Sequence, residues 1–271
     1  MDMGTSESAV PVHGRPILER QDVQRVLFHP RPDSRFSRVP PGVALVSVPV
    51  EPQVVLRGRL HSAGTSAPLI LLFHGNGEIA ADYDDLAPFY ARLGISLLVM
   101  DYRGYGASDG TPTATNLLTD ARVVFESLQG VLAERGLSPE RTFVMGRSLG
   151  SAPALEVAVS AASRTQGLVI ESGFARTFAL LSRLGLSVRG AREESDGFGN
   201  LAKAAQIICP TLVIHGQRDS LIPCSEGRAL YRQCSATDKR LVIIPNANHN
   251  DLLVHGLGLY FEAIRTLIVR P

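Results

Sequence analysis

The chain has 271 residues, of which 45% are hydrophobic and 20% are charged, a balance typical of one globular domain and not of a disordered chain. The net charge of +1 and the scatter of basic residues along the chain argue against a nucleic-acid partner. The chain has three cysteines, Cys209, Cys224 and Cys234, and this odd count in one late segment argues against a disulfide framework. They form no Cys-x-x-Cys pair, which argues against a zinc or redox site.

Residues 1–42 are rich in Pro, Arg and Ser, show little periodicity, and are predicted to form an irregular N-terminal arm. Within them, Val23–Phe28 is a short apolar patch that we expect to anchor the arm. The first residues lack the basic and apolar regions of a secretory signal, and no apolar run approaches the ~20 residues of a membrane helix. By elimination, we expect a cytoplasmic protein without stable membrane insertion.

From residue 43 onward, strand-like runs alternate with helix-like runs. An antiparallel pair of strands is predicted at 43–50 and 54–61. Apolar runs typical of buried strands follow at 68–74, 95–101, 141–146, 167–171, 210–215 and 240–245. Runs typical of helices lie at 82–93, 116–132, 149–162, 225–234 and 251–269. The alternation predicts an α/β fold over 43–271, with a mostly parallel sheet of about eight strands and helices on both faces.

One segment interrupts this alternation. From Phe174 to Gln206 no strand is predicted, and 178–186 has amphipathic spacing. Because the segment lies between two strands and is too long for a plain crossover, we interpret it as a small helical lid over the strand ends. Its residues Phe174, Phe178 and Leu181 are the predicted substrate contacts, since at helical spacing some apolar side chains must face the site. The alternative is that they only seal the core.

Residues 146–150 read Gly-Arg-Ser-Leu-Gly and match Gly-x-Ser-x-Gly between a predicted strand and a predicted helix. In that setting small residues permit a tight turn. The serine hydroxyl then projects at a helix N-terminus, where backbone N–H groups favour developing negative charge. Ser148 is therefore the candidate nucleophile, and an ordinary glycine-rich turn is the alternative.

A serine hydroxyl is a poor nucleophile until a base takes its proton. His249 follows the last predicted strand and precedes the last helix, so it is the candidate base. The carboxylate that orients the base is expected between Ser148 and His249. Asp219, in the loop after the strand 210–215, is the candidate. Glu171, at the end of the preceding strand, is the competitor, with a structural hydrogen-bonding role as its alternative.

Two backbone N–H groups are needed to bind the oxyanion. One is expected from Leu149, the residue after the nucleophile. The other is expected from Asn76 in the loop 74–78, His-Gly-Asn-Gly-Glu, whose glycines let the backbone approach a ligand closely. In the next loop, Asp101 and Arg103 are predicted to brace neighbouring loops through an ion pair and hydrogen bonds.

Taken in this order, the motifs resemble those of the α/β-hydrolase superfamily over roughly residues 43–269. The motifs are His-Gly-Asn-Gly at 74–77, Asp-Tyr-Arg-Gly-Tyr-Gly at 101–106, Gly-Arg-Ser-Leu-Gly at 146–150, and the late Asp219 and His249. The chain is similar to the lid-poor, single-domain branch with a serine-aminopeptidase-like domain. That branch includes acylglycerol lipases and hydrolases related to acyl-protein depalmitoylases.

The sequence therefore predicts a serine hydrolase that cleaves a small carboxylic ester or thioester through an acyl-enzyme intermediate, with no metal or organic cofactor. Two alternatives stay open. One is an amide or peptide hydrolase of the serine aminopeptidase type, and the other is a non-catalytic binding or signalling protein on a hydrolase scaffold. The oligomeric state is left open as well.

Overall fold

A computed structural model of the protein describes residues 16–34 and 39–269. Its strands are β1 (Val43–Glu51), β2 (Val54–His61), β3 (Leu69–Phe73), β4 (Ser96–Met100), β5 (Thr142–Arg147), β6 (Gly167–Glu171), β7 (Thr211–Gly216) and β8 (Lys239–Ile244). They form one sheet in the order β1-β2-β4-β3-β5-β6-β7-β8. The pairs β1–β2 and β2–β4 are antiparallel, and every pair from β4 to β8 is parallel. The predicted mostly parallel α/β sheet is confirmed.

Both faces of the central strands are covered, which explains their continuously apolar sequences. All five residues of β3 are buried. Leu71 packs into one core cluster, whereas Ile70 and Leu72 pack into the other, on the opposite face of the sheet. In the edge strand β8, by contrast, Arg240 is exposed and only two residues are fully buried.

The helices are α1 (Gln21–Leu27), α2 (Ala87–Arg92), α3 (Ala114–Ala133), α4 (Ser151–Ser160), α5 (Thr177–Arg183), α6 (Glu193–Asp196), α7 (Asn200–Ala204), α8 (Cys224–Gln233) and α9 (Leu252–Ile268). The helix expected over 82–93 is divided into a 3-10 turn at Ala80–Tyr83 and the shorter α2. Pro88 accounts for this difference. It lies in the first turn of α2, where its missing N–H costs nothing, and it cannot continue a helix from the preceding turn.

Part of the predicted N-terminal arm packs on the core, as expected for the apolar patch Val23–Phe28. Residues 1–15 and 35–38 of that predicted arm lie outside the described residues. Residues 16–34, however, contain α1, whose Val23 and Leu27 are buried in the same core cluster as α3 and α4. The sequence did not predict the helix α1, because a seven-residue helix with two core positions is shorter than the window in which helical periodicity becomes visible.

Candidate active site

A sharp turn joins β5 to α4 and carries Ser148. The backbone of Ser148 is left-handed, with φ of +53°, a conformation that costs free energy for a non-glycine residue. A Cβ at Gly150 would collide with the carbonyl of Phe73, and one at Gly146 would collide with Gly150 itself. Both glycines of the motif are thus required by the close approach of backbone to backbone, and the turn places the serine at the carboxyl end of β5.

Gly150→Ala is therefore expected to destabilise the fold by about 1–3 kcal/mol, as overpacking does, and to lower hydrolytic activity. Gly130→Ala is the matched control, because a Cβ at that exposed position of α3 meets nothing within 4 Å. The control should gain roughly 0.5–1 kcal/mol from helix propensity. Thermal unfolding of both variants checks this, and equal Tm values would contradict the steric argument.

Three predicted residues from distant parts of the chain meet at this turn. Nε2 of His249 lies 3.0 Å from Oγ of Ser148, and its Nδ1 lies 2.8 Å from Oδ2 of Asp219. All three residues are buried, each 6% exposed. When Nδ1 of His249 carries the proton and donates a hydrogen bond to the carboxylate, Nε2 is free to accept a hydrogen bond from the serine hydroxyl. The arrangement can move a proton from the serine to the histidine.

Asp219 is held as a carboxylate. Burial alone would raise its pKa, but hydrogen bonds from His215 and His249 outweigh burial and keep the pKa of Asp219 well below its ordinary value. Its Oδ1 also accepts from the backbone N–H groups of Leu221, at 3.0 Å, and Ile222, at 2.7 Å. The loop after β7 thus presents an ionised acceptor to the histidine at any pH near neutrality.

Glu171, the competing carboxylate, has different partners. Its Oε1 lies 3.1 Å from Nε of Arg147, and its Oε2 accepts from the hydroxyl of Tyr260 at 2.7 Å. Because these contacts occupy both oxygens, the structure brings Asp219, and not Glu171, to the imidazole of His249.

The loop after β3 lies against the N-terminal arm. Oδ1 of Asn76 accepts from the backbone N–H of His29 at 2.8 Å and from the hydroxyl of Tyr105 at 2.7 Å. Nδ2 of Asn76 lies 2.8 Å from Nδ1 of His29, and Nε of Arg31 donates to the carbonyl of Gly77 at 2.7 Å. Sequence reasoning missed His29 and Arg31, since no motif marks them and their partners lie 46 or more residues away. The oxyanion roles of Asn76 and Leu149 stay predictions.

Asp101 and Arg103 brace separate parts of the fold. Asp101 accepts from the backbone N–H of Ala80 at 2.8 Å. Arg103 donates two hydrogen bonds to Asp120, each 2.7 Å long, and one to Glu51. These contacts match the predicted bracing role. Asp101 and Arg103 each have their own set of partners.

The segment 174–206 contains α5, α6 and α7. A cavity of about 130 Å³ under α5 is lined by Phe174, Ala179, Leu180, Arg183, Leu221, Ile222, Pro223, Ser225 and Glu226. Of the three predicted substrate contacts, only Phe174 lines this cavity. Phe178 is half-buried, and Leu181 is completely buried in the core away from the cavity lining. That these residues contact the substrate stays a prediction.

Within residues 16–34 and 39–269, no cluster of three or more His, Cys, Asp or Glu side chains has the arrangement of a metal site. In the same part of the chain, no helix has the length and apolar character needed to cross a membrane.

The chain is similar to proteins of one known family. The family described as serine aminopeptidase, S33, matches residues 64–182 and 180–253. The alpha/beta hydrolase domain-containing protein aho-3 of Caenorhabditis elegans is 32% identical over 205 residues, 73% of this chain and 57% of that protein, so the match spans little more than half of that relative. Human alpha/beta hydrolase domain-containing protein 17B is 30% identical over 210 residues, 75% of this chain and 67% of that protein.

Solved structures share the fold. The Pyrococcus furiosus esterase Pf2001 superposes with a TM-score of 0.68 at 20% identity, covering 84% of this chain and 92% of the esterase. Est1E from Butyrivibrio proteoclasticus with bound ferulic acid gives a TM-score of 0.66 at 18% identity, covering 82% of this chain and 97% of Est1E.

Proposed function

The chain belongs to the serine aminopeptidase S33 family of the α/β-hydrolases, and from that membership we propose that it hydrolyses a small carboxylic ester or thioester through an acyl-enzyme intermediate. The observation that carries the proposal is the hydrogen-bonded series Ser148–His249–Asp219 at a strained turn. Binding proteins on this scaffold have no need for a buried, ionised carboxylate aligned with a histidine and a serine.

In the proposed reaction, Oγ of Ser148 attacks the substrate carbonyl while Nε2 of His249 takes its proton. Asp219 holds the imidazole in the required tautomer and stabilises its charged form. The backbone N–H groups of Leu149 and Asn76 donate to the oxyanion. His249 then passes its proton to the leaving alcohol or thiol, and a water molecule releases the acyl group by the same route in reverse.

The carboxylates beside the histidine are already bonded to arginines, which lowers their capacity to hold the free amino end of a peptide. A cleft of about 260 Å³ next to His249 is lined by carboxylates that are already paired with arginines. Glu78 and Glu171 bind Arg147, and Asp82 binds Arg31. Carboxylates with arginine partners are poor sites for an additional ammonium group, which an aminopeptidase has to hold. The esterase names of the superposed structures support the same choice.

A fluorophosphonate probe and a substrate panel test the proposal. The panel contains p-nitrophenyl esters of rising chain length, a thioester and an aminoacyl anilide. We expect covalent labelling of Ser148 and faster turnover of an ester or thioester than of the anilide. Labelling with preference for the anilide would instead support a peptidase, and absence of labelling in the folded protein would support a binding role.

Two neighbouring leucines of α5 allow a test of whether the cavity under α5 binds the acyl chain of the substrate or is only part of the core packing. Leu180 lines the cavity under α5, whereas Leu181 does not, although both are buried. Each Leu→Ala change is expected to cost about 2–5 kcal/mol of stability. Only Leu180→Ala should shift the preferred ester chain length in the p-nitrophenyl panel, with Leu181→Ala as its control. An unchanged profile in Leu180→Ala would place the acyl pocket elsewhere.

A further inference from the structure

Arg147, the residue directly before the proposed nucleophile, makes contacts in four directions. Its guanidinium binds Glu78 through Nη1 and lies 3.1 Å from Glu171 through Nε. Its Nη2 donates to the carbonyl oxygen of His249 at 3.1 Å and to Oδ1 of Asn250 at 2.9 Å. The side chain is only 13% exposed, so these contacts form largely out of water, where hydrogen bonds to a charged group are strong.

Glu78 connects this guanidinium to the loop that carries Asn76. Oε2 of Glu78 accepts from the backbone N–H of Gly75 at 2.7 Å and from the hydroxyl of Tyr83 at 2.8 Å. A Cβ at Gly75 would lie 2.6 Å from Nη1 of Arg147, so the guanidinium packs directly on the backbone of this loop. Arg147 and Glu78 therefore hold the loop both by packing and by hydrogen bonds.

The guanidinium of Arg147 keeps its charge around neutral pH. Burial would lower the pKa of Arg147, but the carboxylates of Glu78 and Glu171 outweigh burial and raise the pKa above its ordinary value. Burial raises the pKa of Tyr83, reinforced by Glu78 and Glu171, and burial raises the pKa of Tyr260, reinforced by Glu171, so both phenols remain donors. The guanidinium and the two phenols therefore act as a fixed support.

The topology shows why such a support is needed. His249 follows β8, and β8 is separated from β5 by β6 and β7. The histidine loop must therefore reach back across two strands to meet Ser148. Asp219 holds the imidazole at Nδ1, and Arg147 holds the main chain of the same residue at its carbonyl oxygen. Two attachments, on the ring and on the backbone, define where Nε2 lies.

We propose that Arg147, paired with Glu78, is a positioning residue that holds the histidine loop and the Asn76 loop in register with Ser148. The inference rests on the proposed function, since it concerns the geometry of that reaction. Because a displacement of about 1 Å costs about 10²-fold in rate, the effect should be seen in kcat.

The test compares Arg147→Met, Arg147→Lys and Glu78→Gln with the wild type. Arg122→Met serves as the control, because Arg122 is also a largely buried arginine paired with a glutamate, Glu156, but it joins α3 to α4. The measurements are kcat and KM on the best p-nitrophenyl ester, the rate of fluorophosphonate labelling, and Tm. The labelling rate reports on the reactivity of Ser148 independently of ester binding.

We expect Arg147→Met to lower kcat and the labelling rate together by about 10²-fold, with little change in KM. Arg147→Lys should recover only part of the loss, since an ammonium cannot reproduce the planar fork that reaches Glu78, Glu171 and the His249 loop. Glu78→Gln should lower kcat as well. Arg122→Met should lose stability and keep the wild-type kcat and labelling rate.

Wild-type kcat and labelling in folded Arg147→Met would overturn the inference and leave the proposed function standing. If Arg147→Met fails to fold, Arg147→Lys and Glu78→Gln decide: reduced kcat at near wild-type Tm supports the positioning role, and unchanged kcat in both overturns it. A wild-type protein that is neither labelled nor active would instead show that the proposed function itself is wrong.

Discussion

Replacing Ser148 with alanine is expected to lower kcat for ester hydrolysis by about 10⁴-fold or more while the protein stays folded. The hydroxyl is the group that Nε2 of His249 contacts at 3.0 Å, and no second serine in this turn bonds to that ring. Alanine tolerates the left-handed backbone of position 148 no worse than serine does, so the loss should be chemical. Turnover of p-nitrophenyl esters and labelling by a fluorophosphonate measure it.

Ser160→Ala is the matched control for this change. Ser160 lies at the last turn of the same helix, α4, and its hydroxyl lies 3.5 Å from the carbonyl of Val157, far from His249 in the fold. Wild-type turnover is expected there. Near wild-type turnover of p-nitrophenyl esters by Ser148→Ala would rule out the whole catalytic assignment.

Replacing Asp219 with asparagine is expected to lower kcat by roughly 10⁴-fold. The carboxylate receives Nδ1 of His249 at 2.8 Å, and its pKa lies well below the ordinary value, so it is charged throughout the working range of a histidine base. An amide in its place can donate to Nδ1. The proton of the neutral imidazole then moves to Nε2, which can no longer accept from Ser148.

Glu171→Gln is the comparison that separates the two carboxylates. Glu171 is similarly buried, at 7% exposed, but its oxygens contact Arg147 and Tyr260. Its replacement leaves the contact between His249 and Asp219 in place and should be much less damaging to kcat. The pH dependence of kcat/KM and the Tm of both variants complete the measurement. A larger loss in Glu171→Gln would show that the acid has been assigned to the wrong residue.

Local sequence determined the strands and the position of the proposed nucleophile. β3, β4 and β6 are five-residue strands that are buried at every position and mostly apolar, and their burial on both faces makes them visible in the sequence. The turn at 146–150 depends on two glycines and a serine within five residues, so a short motif is sufficient to locate it. The order of Ser148, a later aspartate and a late histidine then narrowed the candidate partners of Ser148 to a few positions.

Only the tertiary structure decided the contacts that join distant segments. It placed Asp219, and not Glu171, beside His249, and it placed Leu180, and not Leu181, at the cavity under α5. It also brought His29 of the N-terminal arm to the side chain of Asn76, 47 residues away.

The physical reason lies in the sheet. Strand order sets which loops meet at its carboxyl edge, and in this protein it brings together atoms that are 103 residues apart, as between Arg147 and Asn250. Such contacts leave no periodic pattern and no fixed spacing in the sequence, because the local secondary structure does not depend on them. The sequence by itself thus determined which residues are the candidates for the chemistry, whereas the packing of loops after β3, β5 and β8 decided which side chains hold them in place.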